Sequence, residues 1–510
     1  MTFSDPFYGY SFLLRAILYV AVPGFTVWQF VRLRRALHVF QLEGYKRNRF
    51  LSWCRSNPPR ALFLRRASAK KPLVMTGRAW RLLVAATALS TLVVLLASAA
   101  AHLAGGWPYD IPVWAATTAL AFAGAPVLLV AADVLLAPVQ KAINARYLRA
   151  ARRKLARLRP VVIGVTGSFG KTSTKFAIEA LAGPAGSVLA TPGSFNTPLG
   201  VCRTINEKLE EPHRFFVVEM GAYATGEIAE LCRFVRPRIG VLTAIGPAHL
   251  DRFGSLDAIR KAKYEIVEQL PRDGVAVMNV DDREVRRLAD KTAHVRVVRY
   301  GVDPSGDPDI TAVAVDLTRE GTSFTVEDRS ERASLRVRTR LLGRYAVGHV
   351  LAAVAVARAL GRPLGELAQP IETLRGVEHR LQLVEGGGGV VVIDDAYNSN
   401  PGGAAAALEV LEALPGSQKV VVTPGMVELG PLAFEENERL GERAASVADA
   451  LIVVARTNRQ ALLSGAARAN SGCEVIAVDS LTEARARLEK LLRPGAVVLF
   501  ENDLPDQYEG

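Results

Sequence analysis

The chain has only four cysteines in 510 residues, and they are far apart in the sequence: Cys54, Cys202, Cys232 and Cys473. This scatter excludes a zinc ribbon, which needs closely spaced cysteine pairs. A disulfide framework is also not expected in a protein that works in a reducing compartment. We therefore interpret all four cysteines as structural residues.

Acidic residues are scarce in the first third of the chain. Residues 1–160 hold 4 acidic and 23 basic side chains, whereas residues 161–510 hold 46 acidic and 40 basic ones. The net charge of +13 therefore comes entirely from the first third. Because the remainder is mildly acidic, we do not expect nucleic acid as a partner. The basic segments are better suited to anionic lipid headgroups, and membrane lipids are the predicted partners.

Long apolar segments explain a mean hydropathy of +0.17. Residues 82–103 contain no Asp, Glu, Lys or Arg, and residues 111–139 contain only Asp133. Each segment is long enough to cross roughly 30 Å of hydrocarbon as a helix. Residues 12–30 form a third candidate, with Arg15 near its start. The sequence thus predicts a three-helix membrane anchor within residues 1–150.

The basic loop between the first two apolar segments predicts their orientation. Residues 32–81 contain 14 Lys and Arg against one acidic residue, Glu43. By the positive-inside rule this loop is cytoplasmic. Three crossings then deliver everything after about residue 140 to the cytoplasm. The predicted location is the cell (inner) membrane, with a multi-pass anchor and cytoplasmic catalytic domains.

The rest of the chain reads as two α/β domains. Strand-like runs alternate with helical patterns, which is typical of parallel sheets. We predict a central ATP-binding domain over residues 151–384, with a small antiparallel insert at residues 309–340. A flexible junction near residues 386–389 precedes a second alternating series of strands and helices, and we predict a Rossmann-like domain over residues 385–510. The predicted fold class is therefore α/β with a helical N-terminal anchor.

Residues 161–173, VVIGVTGSFGKTS, predict a phosphate-binding loop. An apolar strand pattern breaks into a glycine-rich loop, and a helical pattern begins at Thr172. Such a loop presents backbone N–H groups and a helix N-terminus to phosphate oxygens. Lys171 supplies a charge for the β- and γ-phosphates, and the Thr172 hydroxyl is suited to bind Mg²⁺. The predicted nucleotide-binding residues are Gly167, Ser168, Gly170, Lys171, Thr172 and Ser173.

Several further runs match one family in order along the chain. They are GVTGSFGKTS (164–173), SFNTPLG (194–200), EMGAYATGEIAEL (219–231), AIGPAHLDRFGS (244–255), AKYEI (262–266), NVDD (279–282), IDDAYNSNP (393–401) and GMVELG (425–430). Over roughly residues 155–500 the chain resembles the Mur ligases, which form amide bonds in cell-wall precursors. It is most similar to the branch that adds D-alanyl-D-alanine to a UDP-muramoyl tripeptide.

The resemblance implies that ATP phosphorylates a substrate carboxylate and that an amine attacks the resulting acyl phosphate. Two Mg²⁺ ions are then expected. Lys171 and Thr172 would hold the triphosphate and the first ion, while Glu219 and His249 would hold the second. These metal ions would neutralise the developing charge. The predicted substrates are a cell-wall precursor and an amine.

The resemblance also implies roles outside the phosphate-binding loop. Lys263 occupies a position where the family's lysine is commonly carbamylated; otherwise it would be an exposed helix lysine. Asn196 and Thr197 would contact the muramoyl substrate, or else only form a turn. The residues that match the nucleotide contacts near the last domain are Arg380, Asp395, Tyr397 and Asn398. Closure of that domain would complete the site and exclude water.

The chain departs from the family at several positions. Ala346 and His349 stand where the family has asparagines near the nucleotide, and Asn437 replaces a histidine. Residues 501–504, ENDL, replace a Lys-Gly-Ser segment that positions the amine. An acidic segment there would favour an amine with a positive group. Apolar segments stand where the branch has a UDP-binding domain, so both a lipid-linked and a soluble acceptor stay open.

One alternative function comes from a different class. The substitutions at Ala346 and Asn437 are compatible with a non-catalytic, ATP-binding membrane scaffold for cell-wall enzymes. Acceptor-dependent ADP release discriminates the two, because a scaffold shows none. The sequence does not predict the oligomeric state.

Overall fold

The apolar segments at the start of the chain form long helices. The computed structural model describes residues 6–58, 72–105, 110–184 and 186–504, which divide into two units, Met1–Arg146 and Tyr147–Gly510. Residues 59–71 of the predicted basic loop, and 106–109 between two apolar segments, lie outside the described residues. The first helices are α1 (Pro6–Leu42), α2 (Arg47–Ser56), α3 (Gly77–Gly105), α4 (Asp110–Ala123) and α5 (Ala125–Leu158).

Two described helices are long and apolar enough to cross a membrane. They cover residues Gly77–Ala104 and Ala125–Leu158. The first contains the predicted segment 82–103. The prediction of a single helix over residues 111–139 is wrong, since the chain forms two helices that meet at Gly124. The predicted segment 12–30 lies inside the longer helix α1.

A proline explains the break between α4 and α5. Pro126 has no N–H to donate to the Phe122 carbonyl, which favours a kink. The side chain of Arg32 supplies the missing donor, with Nε 2.6 Å from the Phe122 oxygen. Gln29 Nε2 lies 2.9 Å from the neighbouring Ala121 oxygen. Polar groups of α1 therefore satisfy the backbone where the helix changes direction.

Asp133, the one acidic residue of the predicted third crossing, is buried and ion-paired. Its carboxylate accepts hydrogen bonds from Arg47 Nε at 2.7 Å and from Arg78 at 3.0 Å. A charge in an apolar helix is tolerated when it is paired in this way. Asp133 thus ties helix α5 to α2 and α3 within the first unit.

The second unit begins with a nine-stranded sheet. Its strands are β1 (Val161–Thr166), β2 (Val188–Ala190), β3 (Phe215–Glu219), β4 (Ile239–Leu242), β5 (Val275–Asn279), β6 (Arg296–Gly301), β7 (Ile310–Thr318), β8 (Gly321–Asp328) and β9 (Ala333–Thr339). Their order is β2-β3-β1-β4-β5-β6-β7-β8-β9. Neighbours are parallel as far as β7, and β7, β8 and β9 pair antiparallel. The predicted insert is antiparallel as expected, and it extends the central sheet.

Helices cover both faces of this sheet. They are α6 (Lys171–Leu181), α7 (Pro198–Lys208), α8 (Glu227–Val235), α9 (Leu250–Phe253), α10 (Leu256–Glu268), α11 (Arg283–Lys291), α12 (Gly343–Ala359) and α13 (Ala368–Glu372). Helix α12 is apolar nearly all round, and its residues 350–357 are completely buried. A helix of this kind belongs in a core. Its burial fixes the position of its first turns, which reach the phosphate-binding loop.

The last domain is a six-stranded sheet. Its strands are β10 (Gln382–Glu385), β11 (Val391–Asp395), β12 (Lys419–Thr423), β13 (Ala450–Val454), β14 (Glu474–Val478) and β15 (Val497–Glu501), in the order β10-β11-β15-β12-β13-β14. Only β10 is antiparallel to its neighbour. The predicted junction at residues 386–389 is therefore wrong, because these glycines form the loop between β10 and β11. The helices are α14 (Pro401–Ala413), α15 (Ala433–Val447), α16 (Arg459–Arg468) and α17 (Leu481–Leu491).

Candidate active site

The phosphate-binding loop lies between β1 and α6, as the sequence predicts. Gly167 and Gly170 have φ angles of 154° and 80°, which residues other than glycine rarely adopt. A Cβ on Gly167 would lie 2.0 Å from Thr243 Oγ1, and one on Gly170 would lie 2.9 Å from His349 Cε1. Both glycines are therefore required by backbone conformation and by close packing.

The segment after β4 stabilises this loop through hydrogen bonds. Ser168 Oγ lies 3.0 Å from both the N–H nitrogen and the carbonyl oxygen of Gly246. The Ser168 N–H donates to the Ala244 oxygen at 2.8 Å. Thr243 Oγ1 donates to the Phe169 oxygen. The run AIGPAHL, which the sequence analysis connected only with His249, thus also shapes the nucleotide loop.

Lys171 is folded back onto its own loop. Its Nζ donates to the carbonyl oxygens of Gly167 at 2.8 Å and Ser168 at 3.1 Å. Burial lowers the pKa of Lys171 to about 8, with Arg380 adding to the shift and Glu219 opposing it. A phosphate oxygen is a stronger acceptor than these carbonyls, because it is charged.

This pKa predicts a pH dependence of nucleotide binding. Phosphate binds the protonated form of Lys171, so ADP affinity is expected to fall as pH rises through about 8. Calorimetric ADP titrations across this range measure the effect. A Lys171→Arg variant stays charged and should lose the dependence, whatever its absolute affinity. Equal pH dependence in both proteins would contradict the prediction.

Three side chains donate hydrogen bonds to the Glu219 carboxylate at the end of β3. Thr172 Oγ1 and Lys175 Nζ donate to its Oε2 at 3.0 and 3.2 Å, and Asn196 Nδ2 donates to its Oε1 at 3.1 Å. We call these four residues the Glu219 cluster. Glu219 and Lys175 are almost completely buried. The structure thus brings together three predicted site residues, Thr172, Asn196 and Glu219.

Lys175 is the member of this cluster that the sequence analysis missed. It also donates to the Gly193 carbonyl, and it lies one helical turn after Lys171. Residues four apart share one face of a helix, so this spacing was the available signal. Thr191 was missed as well; its Oγ1 accepts the Glu219 N–H at 3.1 Å. Thr197 caps helix α7, because its Oγ1 accepts a hydrogen bond from the Gly200 N–H at 3.3 Å.

The cluster has oxygen ligands suited to Mg²⁺. Thr172 offers a hydroxyl and Glu219 a carboxylate, directly beside the phosphate-binding loop. Among the described residues, no group of three or more His, Cys, Asp or Glu side chains could hold a metal ion. Mg²⁺ commonly binds through one or two carboxylates, phosphate oxygens and water, so the residues present fit this mode. They do not form an all-protein cage.

His249 is held by a residue of the last domain. Its φ of 60° is in the left-handed region, and its Nδ1 is hydrogen-bonded to Glu428. Arg252 donates to the other oxygen of the same carboxylate, and Tyr223 packs edge-on against the imidazole at 4.9 Å. Within the described residues, no hydrogen bond or ion pair joins His249 to Glu219. Glu428 belongs to the run GMVELG, whose contacts could not be read from sequence.

Asn437 fixes the loop that carries Glu428. Its Oδ1 accepts the Met426 N–H at 2.7 Å, and its Nδ2 donates to the Met426 and Ala433 oxygens. Asn437 is completely buried. The departure from the family histidine is therefore a structural position in this chain.

We expect Glu428 to couple domain closure to the site. A carboxylate on one ring nitrogen of a histidine orients the other nitrogen, and losing it commonly lowers metal affinity or activity by about 10- to 100-fold. Glu428→Gln should lower the rate of acceptor-dependent ADP release about 10- to 100-fold and make the segment between the domains more sensitive to protease. Glu435→Gln, on an exposed glutamate, is the matched control. An unchanged rate and protease pattern would contradict this role.

Lys263 is buried, so the alternative of an exposed helix lysine is wrong. Its side chain is 3% exposed, and Nζ lies 3.5 Å from the Ala222 oxygen and 5.5 Å from the centre of the Phe253 ring. Burial and the nearby charge of Lys171 lower the pKa of Lys263 to about 7, against the effect of Glu227 and Glu265. A large share of this amine is therefore neutral near pH 7.

A cleft between the two sheets holds the predicted nucleotide contacts of the last domain. Its lining includes these residues from the phosphate-binding loop, α6, α12 and the last domain: Gly170, Ser173, Ala346, His349, Arg380, Asp395 and Asn398. Tyr397 lies outside this lining; Arg380 stacks on its ring at 4.4 Å, and its hydroxyl is 2.9 Å from Ser194 Oγ. The cleft thus joins both domains.

His349 takes part in this cleft as a neutral side chain. Its Nδ1 lies 3.0 Å from Thr174 Oγ1, and its ring lies edge-on to Tyr345 at 4.9 Å. Burial and the charge of Arg380 lower the pKa of His349 to about 4. The residue that replaces a family asparagine is therefore an uncharged hydrogen-bonding group.

Comparison with known proteins relates both domains that form this site to one enzyme family. The family model of the Mur ligase middle domain matches residues 165–357, and that of the Mur ligase, glutamate ligase domain matches residues 379–501. Neither extends into residues 1–146. A UDP-N-acetylmuramoyl-tripeptide–D-alanyl-D-alanine ligase of Mycobacterium tuberculosis (strain CDC 1551 / Oshkosh) is 34% identical, over 67% of this chain and 70% of its own length. Its counterpart in Escherichia coli K12 is 32% identical, over 56% and 62%.

Solved structures give the same result. MurF from Acinetobacter baumannii has a TM-score of 0.64 and 27% identity, over 72% of this chain and 78% of its own. MurF ligase from Thermotoga maritima in complex with ADP has a TM-score of 0.62 and 28% identity, over 71% and 80%. Mur ligases use ATP and Mg²⁺. The chain belongs to the Mur ligase family and is an ATP-dependent, ADP-forming amide ligase.

Proposed function

We propose that this ligase is anchored in the membrane and joins D-alanyl-D-alanine to the carboxylate of a muramoyl peptide. The amine and the muramoyl peptide are taken from the names of the relatives. The observation that carries the proposal is the contact between Glu219 and Thr172 of the phosphate-binding loop. This contact puts the buried Glu219 carboxylate beside the phosphate-binding loop, where it would hold a nucleotide-bound metal ion.

The proposed reaction has two steps. An acceptor carboxylate oxygen attacks the γ-phosphorus of ATP, and ADP leaves. The amine nitrogen then attacks the acyl carbon, and inorganic phosphate leaves with that oxygen while the nitrogen loses a proton. Bound Mg²⁺ would supply charge neutralisation between the phosphates and the acceptor. Lys171 would bind the β- and γ-phosphate oxygens, and Thr172 and Glu219 would hold the metal ion. Asn196 orients the Glu219 carboxylate through its hydrogen bond.

We infer that Lys263 is carbamylated in the working enzyme. The neutral amine attacks CO₂, forms an N–C bond and releases one proton, which turns an uncharged buried amine into a carbamate anion near Lys171. The lowered pKa of Lys263 supports this step. Removing bicarbonate and CO₂ is expected to lower activity reversibly, and ¹³C-bicarbonate should give a carbamate NMR signal that is missing in Lys263→Arg. A Lys261→Arg variant, on an exposed lysine of the same helix, should keep the signal.

The anchor proposal rests on the two long apolar helices and their basic flanks. Residues Gly77–Ala104 and Ala125–Leu158 have the length and composition to span a bilayer. Residues 141–159 add eight Lys and Arg and no acidic residue. We expect the full chain to stay with membranes after alkaline carbonate washing, and protease to cleave the ligase domains from the cytoplasmic side only. Release by carbonate would contradict the anchor.

We propose further that the acceptor is lipid-linked. A membrane anchor raises the effective concentration of a substrate that shares the membrane, and it gives no such gain for a soluble one. The test uses full-length enzyme in lipid nanodiscs with ATP, Mg²⁺ and radiolabelled D-alanyl-D-alanine. Soluble UDP-muramoyl tripeptide and its lipid-linked form are compared at equal bulk concentration. Faster labelling of the lipid-linked acceptor supports the proposal, and a preference for the soluble one contradicts it.

A further inference from the structure

A completely buried carboxyl group and a partly buried one lie side by side where two strands of the last sheet end. Asp395 ends β11 and Glu501 ends β15, and the two residues are register partners on adjacent parallel strands. In-register side chains of parallel neighbours lie on the same face of a sheet. Asp395 lines the nucleotide cleft, whereas Glu501 is completely buried behind it.

The hydrogen bonds around this pair leave one oxygen without a donor. Ser399 Oγ donates to Glu501 Oε1, and the Leu381 N–H donates to Asp395 Oδ1 at 3.0 Å. Among the described residues, Glu501 Oε2 has no hydrogen-bond donor. An ionised carboxylate with a bare buried oxygen next to a second carboxylate is strongly unfavourable. A proton between the two groups removes the conflict.

The charged groups around the pair support one shared proton. Arg380 faces Asp395 from the segment before β10, and Asp394, which is bonded to His379, precedes it on β11. Burial and the neighbouring Asp395 raise the pKa of Glu501 well above its usual value. Burial also raises the pKa of Asp395, to about 6, despite the Leu381 N–H and Arg380. The two groups titrate as a coupled pair, and the complete burial of Glu501 favours the proton on its side of the pair.

We propose that Glu501 is a positioning residue that stays protonated, donates its carboxyl O–H to Asp395 and so fixes the Asp395 carboxylate at the rim of the nucleotide cleft. The inference rests on the proposed function in that the cleft holds ATP and ADP. It removes Glu501 from the expectation that residues 501–504 select a cationic amine, because a completely buried, neutral carboxyl offers no anion to a substrate.

Two substitutions of Glu501 distinguish a role as a hydrogen-bond donor from a role as a carboxylate anion. Glu501→Gln keeps the shape and an N–H donor, so its ADP affinity with Mg²⁺ should stay within about threefold of wild type. Glu501→Ala removes the donor and should weaken ADP binding by about tenfold or more. Glu474→Gln, on an exposed residue of β14, is the matched control. Equal weakening by Gln and Ala, or no weakening by either, would overturn the proposal.

A spectroscopic readout keeps the proposal testable even if the alanine variant fails to fold. The infrared difference spectrum between wild type and Glu501→Gln at pH 7.5 should contain the carbonyl band of a protonated carboxyl. A difference spectrum with carboxylate bands alone would overturn the assignment. If wild type itself binds no ADP, the proposed function fails, and the infrared band still decides whether Glu501 carries the proton.

Discussion

Lys171→Ala is expected to lower acceptor-dependent ADP release by about 10²- to 10³-fold, the scale seen when one preorganised charged or polar donor to a transition state is removed. Its Nζ donates hydrogen bonds to two carbonyl oxygens of the phosphate-binding loop, so its charge lies within the loop itself. Neighbouring backbone N–H groups can bind phosphate but cannot replace this charge. The measurement is coupled-assay ADP release with and without acceptor.

A control variant and the behaviour expected of a non-catalytic scaffold show whether the loss of activity is specific to Lys171. Lys261→Ala removes an exposed lysine and should leave the rate unchanged. A non-catalytic scaffold would show no acceptor-dependent ADP release in wild type or variant. Wild-type turnover that survives in Lys171→Ala would contradict the role given to the phosphate-binding loop.

Glu219→Gln is expected to destabilise the central domain and to abolish turnover. The change leaves Lys175 buried opposite a neutral amide, and removing one partner of a buried ion pair typically costs about 3–5 kcal/mol. Burial already lowers the pKa of Lys175, an effect that Glu219 opposes. Thermal unfolding of the variant should therefore begin at a lower temperature and depend on pH, with less destabilisation at high pH, where Lys175 is neutral.

A double variant separates stability from catalysis. Glu219→Gln combined with Lys175→Met removes both charges, and stability should return toward wild type. Activity should not return, because the carboxylate beside Thr172 is still missing. Glu268→Gln, on an exposed glutamate, controls for the loss of one negative charge. Recovery of activity in the double variant would contradict the metal-orienting role of Glu219.

The sequence was sufficient where local rules decide the structure. The run at residues 161–173 predicts strand, glycine loop and helix, because Gly167 and Gly170 are demanded by backbone geometry within the loop itself. Strand-like and helical patterns of apolar residues also predict most strands of the two sheets and most of the helices that pack against them. Glu219 and His249 could be placed at the carboxyl edge of one sheet, because parallel strands end on the same side.

Contacts made across the fold could not be read in this way. Glu428 reaches His249 across 179 positions of sequence, and the burial of Glu501 depends on which strand lies beside β11. The acidic residue at 501 therefore looks exposed in sequence and is buried in the structure. The break at Gly124 was missed for a local reason: Pro126 was read as part of an apolar run although it removes a helix hydrogen bond.

The transfer of an acceptor oxygen to phosphate tests the central claim most directly. Full-length enzyme receives ATP, Mg²⁺, D-alanyl-D-alanine and a muramoyl tripeptide whose terminal carboxylates carry ¹⁸O. The account predicts that each inorganic phosphate released with the new amide bond carries one ¹⁸O from the acceptor. Amide formation with unlabelled phosphate, or no amide formation from either the soluble or the lipid-linked acceptor, would contradict it.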